Sequence, residues 1–364
     1  MPSYLPIKRW MDAAEKVRTA ERLLALRQML RSEVTERAGR NSLLIATWNL
    51  RDFDSNRLGH GPRLRESFYY IAEIISAFDL VALQEVGRNL DALEALLAIL
   101  GPEWDYVATD TVENASGAEE RIAFVFRQSR LMFRKIAGEI VLPGGQRTAP
   151  RGGGEPDGGG KANELAFQRA PFLVGFQAAG GFNFNLCTLH LRYDGLKPQQ
   201  LERHAGRLET IARFLKDRQD REREDYILIG DFGIGAPSDL FARVLDRHGF
   251  SVPEALTRRR AKLDTQHYYD QIAFRFVEDR LELAGSGAFQ PFEAVFRDNE
   301  PDFDAYRDLM PPDKADDLWN GGPQGYYARQ WRSWQVSDHQ LLWVALKVDF
   351  SDHYLESIRK VGAH

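Results

Sequence analysis

Apolar positions along this chain recur at two spacings, and the switches between them outline the elements. From about Met11 to Ala38 the spacing is helical. Leu23, Leu24, Leu26, Met29 and Leu30 form a stripe among Arg and Glu, which predicts a helix packed on a main domain. Short apolar runs and helical stretches then alternate. LLIATWNL (43–50) predicts a strand, SFYYIAEIISAF (67–78) a helix, DLVALQEV (79–86) a strand, and LDALEALLAIL (90–100) a helix stopped by Gly101-Pro102. WDYVATD, RIAFVFR and LMFRKIAGEIVL are strand-like. FLVGFQAA and FNFNLCTLHL predict a hairpin around Gly180-Gly181. Residues 198–222 form a charged amphipathic helix. YILIGDF is a strand and LFARVLDRHG a helix, while QIAFRFV, LELAGSGAF and QLLWVALKV close the core.

Most of these strands are apolar on both faces, so both faces are covered. Many strands with few helices between them predict two sheets packed together, with helices outside. Two segments interrupt the pattern. RTAPRGGGEPDGGGKANE (147–164) is a Gly-rich insertion of loop composition. It is not a phosphate-binding P-loop, because Glu155 stands where the first glycine is required and Ala162 where a Ser or Thr is required. The stretch from Phe292 to Trp334, rich in Asp, Pro, Tyr and Trp, reads as a structured excursion before the last strand.

Composition narrows the picture. The chain has 364 residues, 43% of them hydrophobic, enough for a sizeable core. A net charge of -5 gives no overall basic footprint for nucleic acid, although a local basic cleft is compatible with it. The single cysteine, Cys187, excludes an intrachain disulfide and a cysteine-based zinc site. The N-terminus has no apolar h-region, and no segment approaches a membrane span, so a cytoplasmic location is expected.

Several apolar strands end on a polar residue that a core would not select. Asn49 ends LIATWN, Glu85 ends LVALQE, His190 ends NLCTLH and Asp231 ends YILIGD. Asp270 opens one of the last strands, and Asp338-His339 open another. Each alone is an ordinary strand-end residue. Together, at one edge of a sandwich, they share a cleft. Glu85 and Asp231 are hard oxygen donors suited to Mg²⁺ or Mn²⁺. Asp270 or Asp338 is placed to orient His339 as a base, and Asn49 to donate to a phosphate oxygen. Such a set activates water against a phosphodiester.

In order, WN, QE, THL, GDF, YDQI and SDH resemble the endonuclease/exonuclease/phosphatase superfamily, the deoxyribonuclease I-like fold, from about Leu43 to Val348. TWNLRDFD and LVALQEV resemble its bacterial and deoxyribonuclease I branch. The resemblance implies a four-layer α/β/β/α sandwich over 41–350, with a helical extension at 1–40 and a tail at 351–364. It implies an Mg²⁺- or Mn²⁺-dependent hydrolase, most simply a nuclease, acting on nucleic acid or a small phosphodiester. The implied metal ligands are Glu85, Asn49, Asp231 and Asp338. Phosphate contacts fall to Asn49, Arg51 and Asp338, and catalytic roles to His190, Asp231, Asp270 and His339, with Asp270 pairing His339.

Asp231-Phe232-Gly233 also spells the kinase metal-binding motif, but no Gly-rich strand with its lysine and no catalytic loop of that family accompany it. Relatives usually have GDFN. Gly233 removes that asparagine, which implies a weakened enzyme or, as the alternative, a protein that binds a phosphorylated ligand or partner. A small-molecule phosphatase is a third reading. On this view Gly233→Asn would raise activity if the backbone permits it, whereas a positive φ at Gly233 would require the glycine. Trp331 and Trp334 flank Arg332 and serve either base stacking or packing. Cys187 and His190, an odd spacing apart on one strand, face opposite sides. His60, His204, His248, His267, His353 and His364 lack ligand spacing and read as surface or packing residues.

Overall fold

The structure is a computed structural model that describes residues 2–39, 41–53, 55–113, 119–140, 170–178, 181–191, 197–234, 239–257, 270–277, 282–315, 321–348, 355 and 358–359. The Gly-rich insertion at 147–164 and nearly all of the 351–364 tail lie outside these residues.

Twelve strands are described: β1 (Ser42–Phe53), β2 (Leu80–Gly87), β3 (Trp104–Ala108), β4 (Val112–Glu113), β5 (Glu119–Arg127), β6 (Leu131–Glu139), β7 (Phe172–Ala178), β8 (Asn183–His190), β9 (Asp225–Asp231), β10 (Asp270–Arg275), β11 (Leu283–Phe289) and β12 (Leu341–Lys347). One sheet runs β11-β12-β1-β2-β5-β3, with β4 beside β5. The other runs β10-β9-β8-β7-β6. The main helices are α1 (Leu5–Trp10), α2 (Ala13–Leu30), α3 (Arg65–Ser76), α4 (Asp91–Leu100), α5 (Pro198–Glu222) and α6 (Asp239–Arg247). The parallel pairs β1/β2 and β8/β9 need crossovers, and α3 and α5 supply them.

Side-chain alternation sorts the core into three apolar layers. Leu43 and Ile45 of β1, Leu80 and Ala82 of β2, and Phe124 and Phe126 of β5 face the other sheet. There they meet Leu186, Ile227, Ile229, Ile272 and Phe274. The opposite face of the first sheet, with Trp48, Val81, Leu83 and Trp343, is covered by α2, α3 and α4. The outer face of the second, with Cys187, Leu189 and Leu228, is covered by α5 and α6. The result is the expected helix/sheet/sheet/helix sandwich. Cys187 and Leu189 face α5 while Thr188 and His190 take the inter-sheet side, as the odd spacing requires.

The N-terminal helix is cut by a capping box at Asp12 and Glu15 into α1 and α2. Of the stripe expected to pack, Leu23, Leu26 and Leu30 are buried, while Leu24 is 67% exposed because it lies on the opposite side of the helix. Arg18 and Arg22 fasten α2 to Glu66 and Asp302 at 2.7 and 2.6 Å. The 292–334 excursion is a set of short helices built on Phe296, Tyr306, Tyr326, Tyr327 and Trp331, all buried. Among the described residues no helix is long and apolar enough to cross a membrane.

Candidate active site

The inter-sheet face of each strand stays apolar through the core and turns polar at one end. Asn49 continues the face of Leu43 and Ile45. His190 continues that of Leu186, Asp231 that of Ile227 and Ile229, and Asp270 that of Ile272 and Phe274. Strand register then aligns the second sheet's groups: Asp231 pairs with His190 across β8/β9 and with Asp270 across β9/β10. His190 Nε2 lies 3.8 Å from Glu85 Oε1 and 4.0 Å from Asp231 Oδ2, so both sheets contribute to one cleft.

His339 arrives from the loop before β12. Its Nδ1 donates to Asp270 Oδ2 at 2.7 Å. The loop is sewn to β1: Trp48 Nε1 donates to the His339 carbonyl, His339 N–H to Ser337 Oγ, and Ser337 Oγ to the Asn49 carbonyl. Burial pushes the imidazolium down, but the charge of Asp270 and its hydrogen bond, with Asp338 and Asp231 behind them, lift its pKa to about 9. The pair thus favours the imidazolium form of His339. The expected Asp270–His339 pair is present, and a carboxylate bonded to Nδ1 both orients the ring and favours its protonated form.

Glu85 reaches the cleft by a local departure from the strand. Alternation would send it outward with Val81 and Leu83. Instead its φ is +58°, and the β2/β5 register shifts between Leu83 and Val86. The facing segment of β1 is bent as well, with Arg51 and Asp52 at φ +50° and +52°. Backbone held in this region is costly and persists only where the surroundings enforce it. Here Arg63 is the enforcer. Buried over the Trp334 ring at 4.8 Å, it donates to the carbonyls of Leu50, Arg51 and Asp52. The bent segment aims two amides inward: Arg51 N–H donates to Asn49 Oδ1 at 2.9 Å and Asp52 N–H to Glu85 Oε2 at 2.9 Å. Asn49 Nδ2 completes the frame with a 2.8 Å bond to Glu85 Oε1. Asn49 thus orients Glu85, and both ends of its amide are engaged.

Two carboxylates unmarked by the sequence reading join this site. Glu120 of β5 lies 3.8 Å from His190 Nδ1, and Asp52 is brought in by the bend. Oxygens of Asp52, Glu85 and Glu120 lie within 4.8 Å of one another. Glu120 had a readable signal, since it shares strand parity with Phe124 and Phe126. Asp52 had none, because alternation would point it away. Burial, then the charge of Glu85, pushes the Asp52 carboxyl up. Three converging carboxylates with only oxygen donors suit a hard divalent cation, which would offset their mutual repulsion. Asp231, also expected as a ligand, lies in a second group whose ligand atoms fall within 4.8 Å of one another, with Asp270 and His339.

Asp231 is buried where its carbonyl accepts Leu191 N–H at 2.8 Å and its Oδ1 accepts Gly233 N–H at 2.8 Å. Burial raises its pKa to about 7, with help from the charges of Asp270 and Glu85 and opposition from His339 and the Gly233 amide. Gly233 has φ +61°, and a Cβ there would fall 2.3 Å from the Leu191 carbonyl oxygen and 2.9 Å from His204 Cε1. Any side chain at 233, asparagine included, meets both a strained φ and these contacts. The space beside the backbone is already filled.

Arg51 and Asp338 sit at the rim, their charges 4.0 Å apart. The Arg51 guanidinium turns to the Gln330 carbonyl, Gln330 Oε1 and Ser333 Oγ, so the expected phosphate contact gives way to anchoring of the excursion. Asp338 Oδ1 is 4.0 Å from His339 Nε2. Trp331 and Trp334 are buried, which decides for packing over stacking.

No protein-family model matches the sequence, and no curated protein does. Solved structures do match. The human Nocturnin catalytic domain, solved with a bound sulfate anion, superposes with a TM-score of 0.53 at 14% identity, over 85% of this chain and 95% of its own. An endonuclease/exonuclease/phosphatase family protein from Bacteroides thetaiotaomicron gives 0.50 at 16% identity, over 84% and 97%. A conserved protein of unknown function from Enterococcus faecalis gives 0.50 at 12%, over 84% and 100%. This chain has the fold of the endonuclease/exonuclease/phosphatase superfamily.

Proposed function

We propose that the protein is a phosphodiester hydrolase dependent on Mg²⁺ or Mn²⁺, with nucleic acid as its leading substrate class. The observation that carries this reading is the meeting of His190 with Glu85 from one sheet and Asp231 from the other, beside the Asp270–His339 pair. The cation belongs at Glu85, with Asp52 and Glu120 completing the donors. When bound, it polarises a phosphate oxygen and offsets charge in the transition state.

The chain's own groups supply the rest. Asp231, with a pKa of about 7, accepts the proton of the attacking water, and the water oxygen forms the new bond to phosphorus. His339, protonated against Asp270, faces the charge that grows on the phosphoryl oxygens. His190 Nε2 donates to the oxygen that departs, with Glu120 on its other nitrogen. Asn49 acts by fixing Glu85. The sulfate carried by the Nocturnin domain, a tetrahedral anion on the same fold, agrees with a phosphate site. Residues 41–350 form the catalytic domain, with 1–40 an accessory helical layer. A weakened, binding-only protein remains the alternative reading: the crowding at Gly233 explains the glycine without supplying the donor it lacks.

The test is a panel of a chromogenic phosphodiester, single- and double-stranded DNA, and RNA, with Mg²⁺, Mn²⁺ or EDTA. Hydrolysis that stops with EDTA and returns with either ion is expected. Turnover indifferent to chelation, or none on any phosphodiester, overturns the reading. Preference for phosphomonoesters would favour the small-molecule phosphatase.

A further inference from the structure

The Phe232–Gly233 peptide unit is bonded at both ends. Its N–H, on Gly233, donates to Asp231 Oδ1 at 2.8 Å. Its carbonyl, on Phe232, accepts from Nε2 of His204, a residue of α5. A carbonyl only accepts, so Nε2 carries the hydrogen. The His204 ring is held edge-on to Phe241 at 5.6 Å and is 2% exposed. Its Cε1 also occupies the space that a Cβ on Gly233 would need.

We infer that His204 is a positioning residue for Asp231, acting through the Phe232–Gly233 peptide. Donation to a peptide carbonyl polarises the same unit's N–H and strengthens the bond that N–H makes. The His204 ring fixes the peptide plane, and the plane fixes the rotamer of the carboxylate. Glycine at 233 is then a requirement of the device, since a side chain there would collide with the histidine that operates it. His204 lies on the far side of the second sheet from the cleft, so it touches no reacting atom.

This role rests on the proposed use of Asp231, so one arm of the test is independent of activity. Phe232–Gly233 is the one Phe–Gly step in the sequence. Labelling with carbonyl-¹³C phenylalanine and ¹⁵N glycine therefore isolates this single amide by NMR. His204→Phe keeps a ring and removes the donor, while His204→Gln keeps a donor. In His204→Phe the Gly233 amide proton is expected to move upfield and exchange faster with solvent. His204→Gln is expected to return both toward wild type, with melting temperatures confirming that both variants fold. In turnover, His204→Phe should lower kcat about 10–100-fold with KM unchanged, and His204→Gln should recover most of it. An unmoved amide signal in His204→Phe overturns the inference, as does a kcat loss equal in both variants. If wild type hydrolyses nothing, the proposed function falls, while the amide signal still decides whether His204 holds this peptide.

Discussion

Nδ1 of His339 and Oδ2 of Asp270 lie 2.7 Å apart, on residues that are 4% and 0% exposed. Neither group would be buried alone at low cost. Together they form a charged pair whose outer face, at His339 Nε2, is directed toward Asp338. Replacing Asp270 with Asn or His339 with Gln should each lower kcat by about 10²–10⁴-fold. The double variant should be little worse than the worse single one, because the two act as a unit. Strictly additive losses in steady-state kinetics would show that they work separately.

The same pair sets a pH dependence. His339 has a folded pKa of about 9, above its ordinary 6.5. Its contribution to stability is full below pH 6.5 and is lost as pH rises through 9. Its slope is at most about 1.4 kcal/mol per pH unit. Denaturant unfolding of wild type should weaken across that window, and His339→Gln should flatten the trend. An equal decline in both would place the titrating group elsewhere.

At the carboxylate cluster, Glu85→Gln and Glu120→Gln should each weaken Mn²⁺ binding about tenfold or more by titration calorimetry. Arg63→Met should have a similar effect at a distance. It removes the donor to three carbonyls and costs about 1–3 kcal/mol of stability. Mn²⁺ affinity unchanged in Glu85→Gln would move the cation site away from this residue.

Gly233→Ala and Gly233→Asn should both destabilise the fold and lower turnover. Gly181 provides the control. It too has positive φ, +82°, but a Cβ there meets nothing within 4 Å. Gly181→Ala should cost only the backbone strain, roughly 1 kcal/mol, and Gly233→Ala clearly more. Equal melting-temperature losses at the two sites would mean that the contact with Leu191 and His204 is relieved cheaply.

Much of this protein was determined by sequence alone, for a local reason. A strand repeats every two residues, so the run from Leu186 to His190 or from Ile227 to Asp231 states which side chain shares the core face and where that face turns polar. That rule carried the sandwich and five of the polar groups at the strand ends, Asn49, His190, Asp231, Asp270 and, unmarked, Glu120. It failed where the backbone leaves the strand. Glu85 faces the cleft only because of its positive φ, and Asp52 only because Arg63 bends the segment after Asn49. Excluded volume was out of reach at Gly233. The sequence shows a missing side chain, and only the fold shows that Leu191 and His204, distant in sequence, occupy its space. The charge of His339 was likewise undetermined by its neighbours in the chain. It follows from Asp270, 69 positions away, brought to Nδ1 in a space that excludes water. Periodicity is a property of one strand, whereas strain, excluded volume and pKa are set by what other strands and helices place beside it.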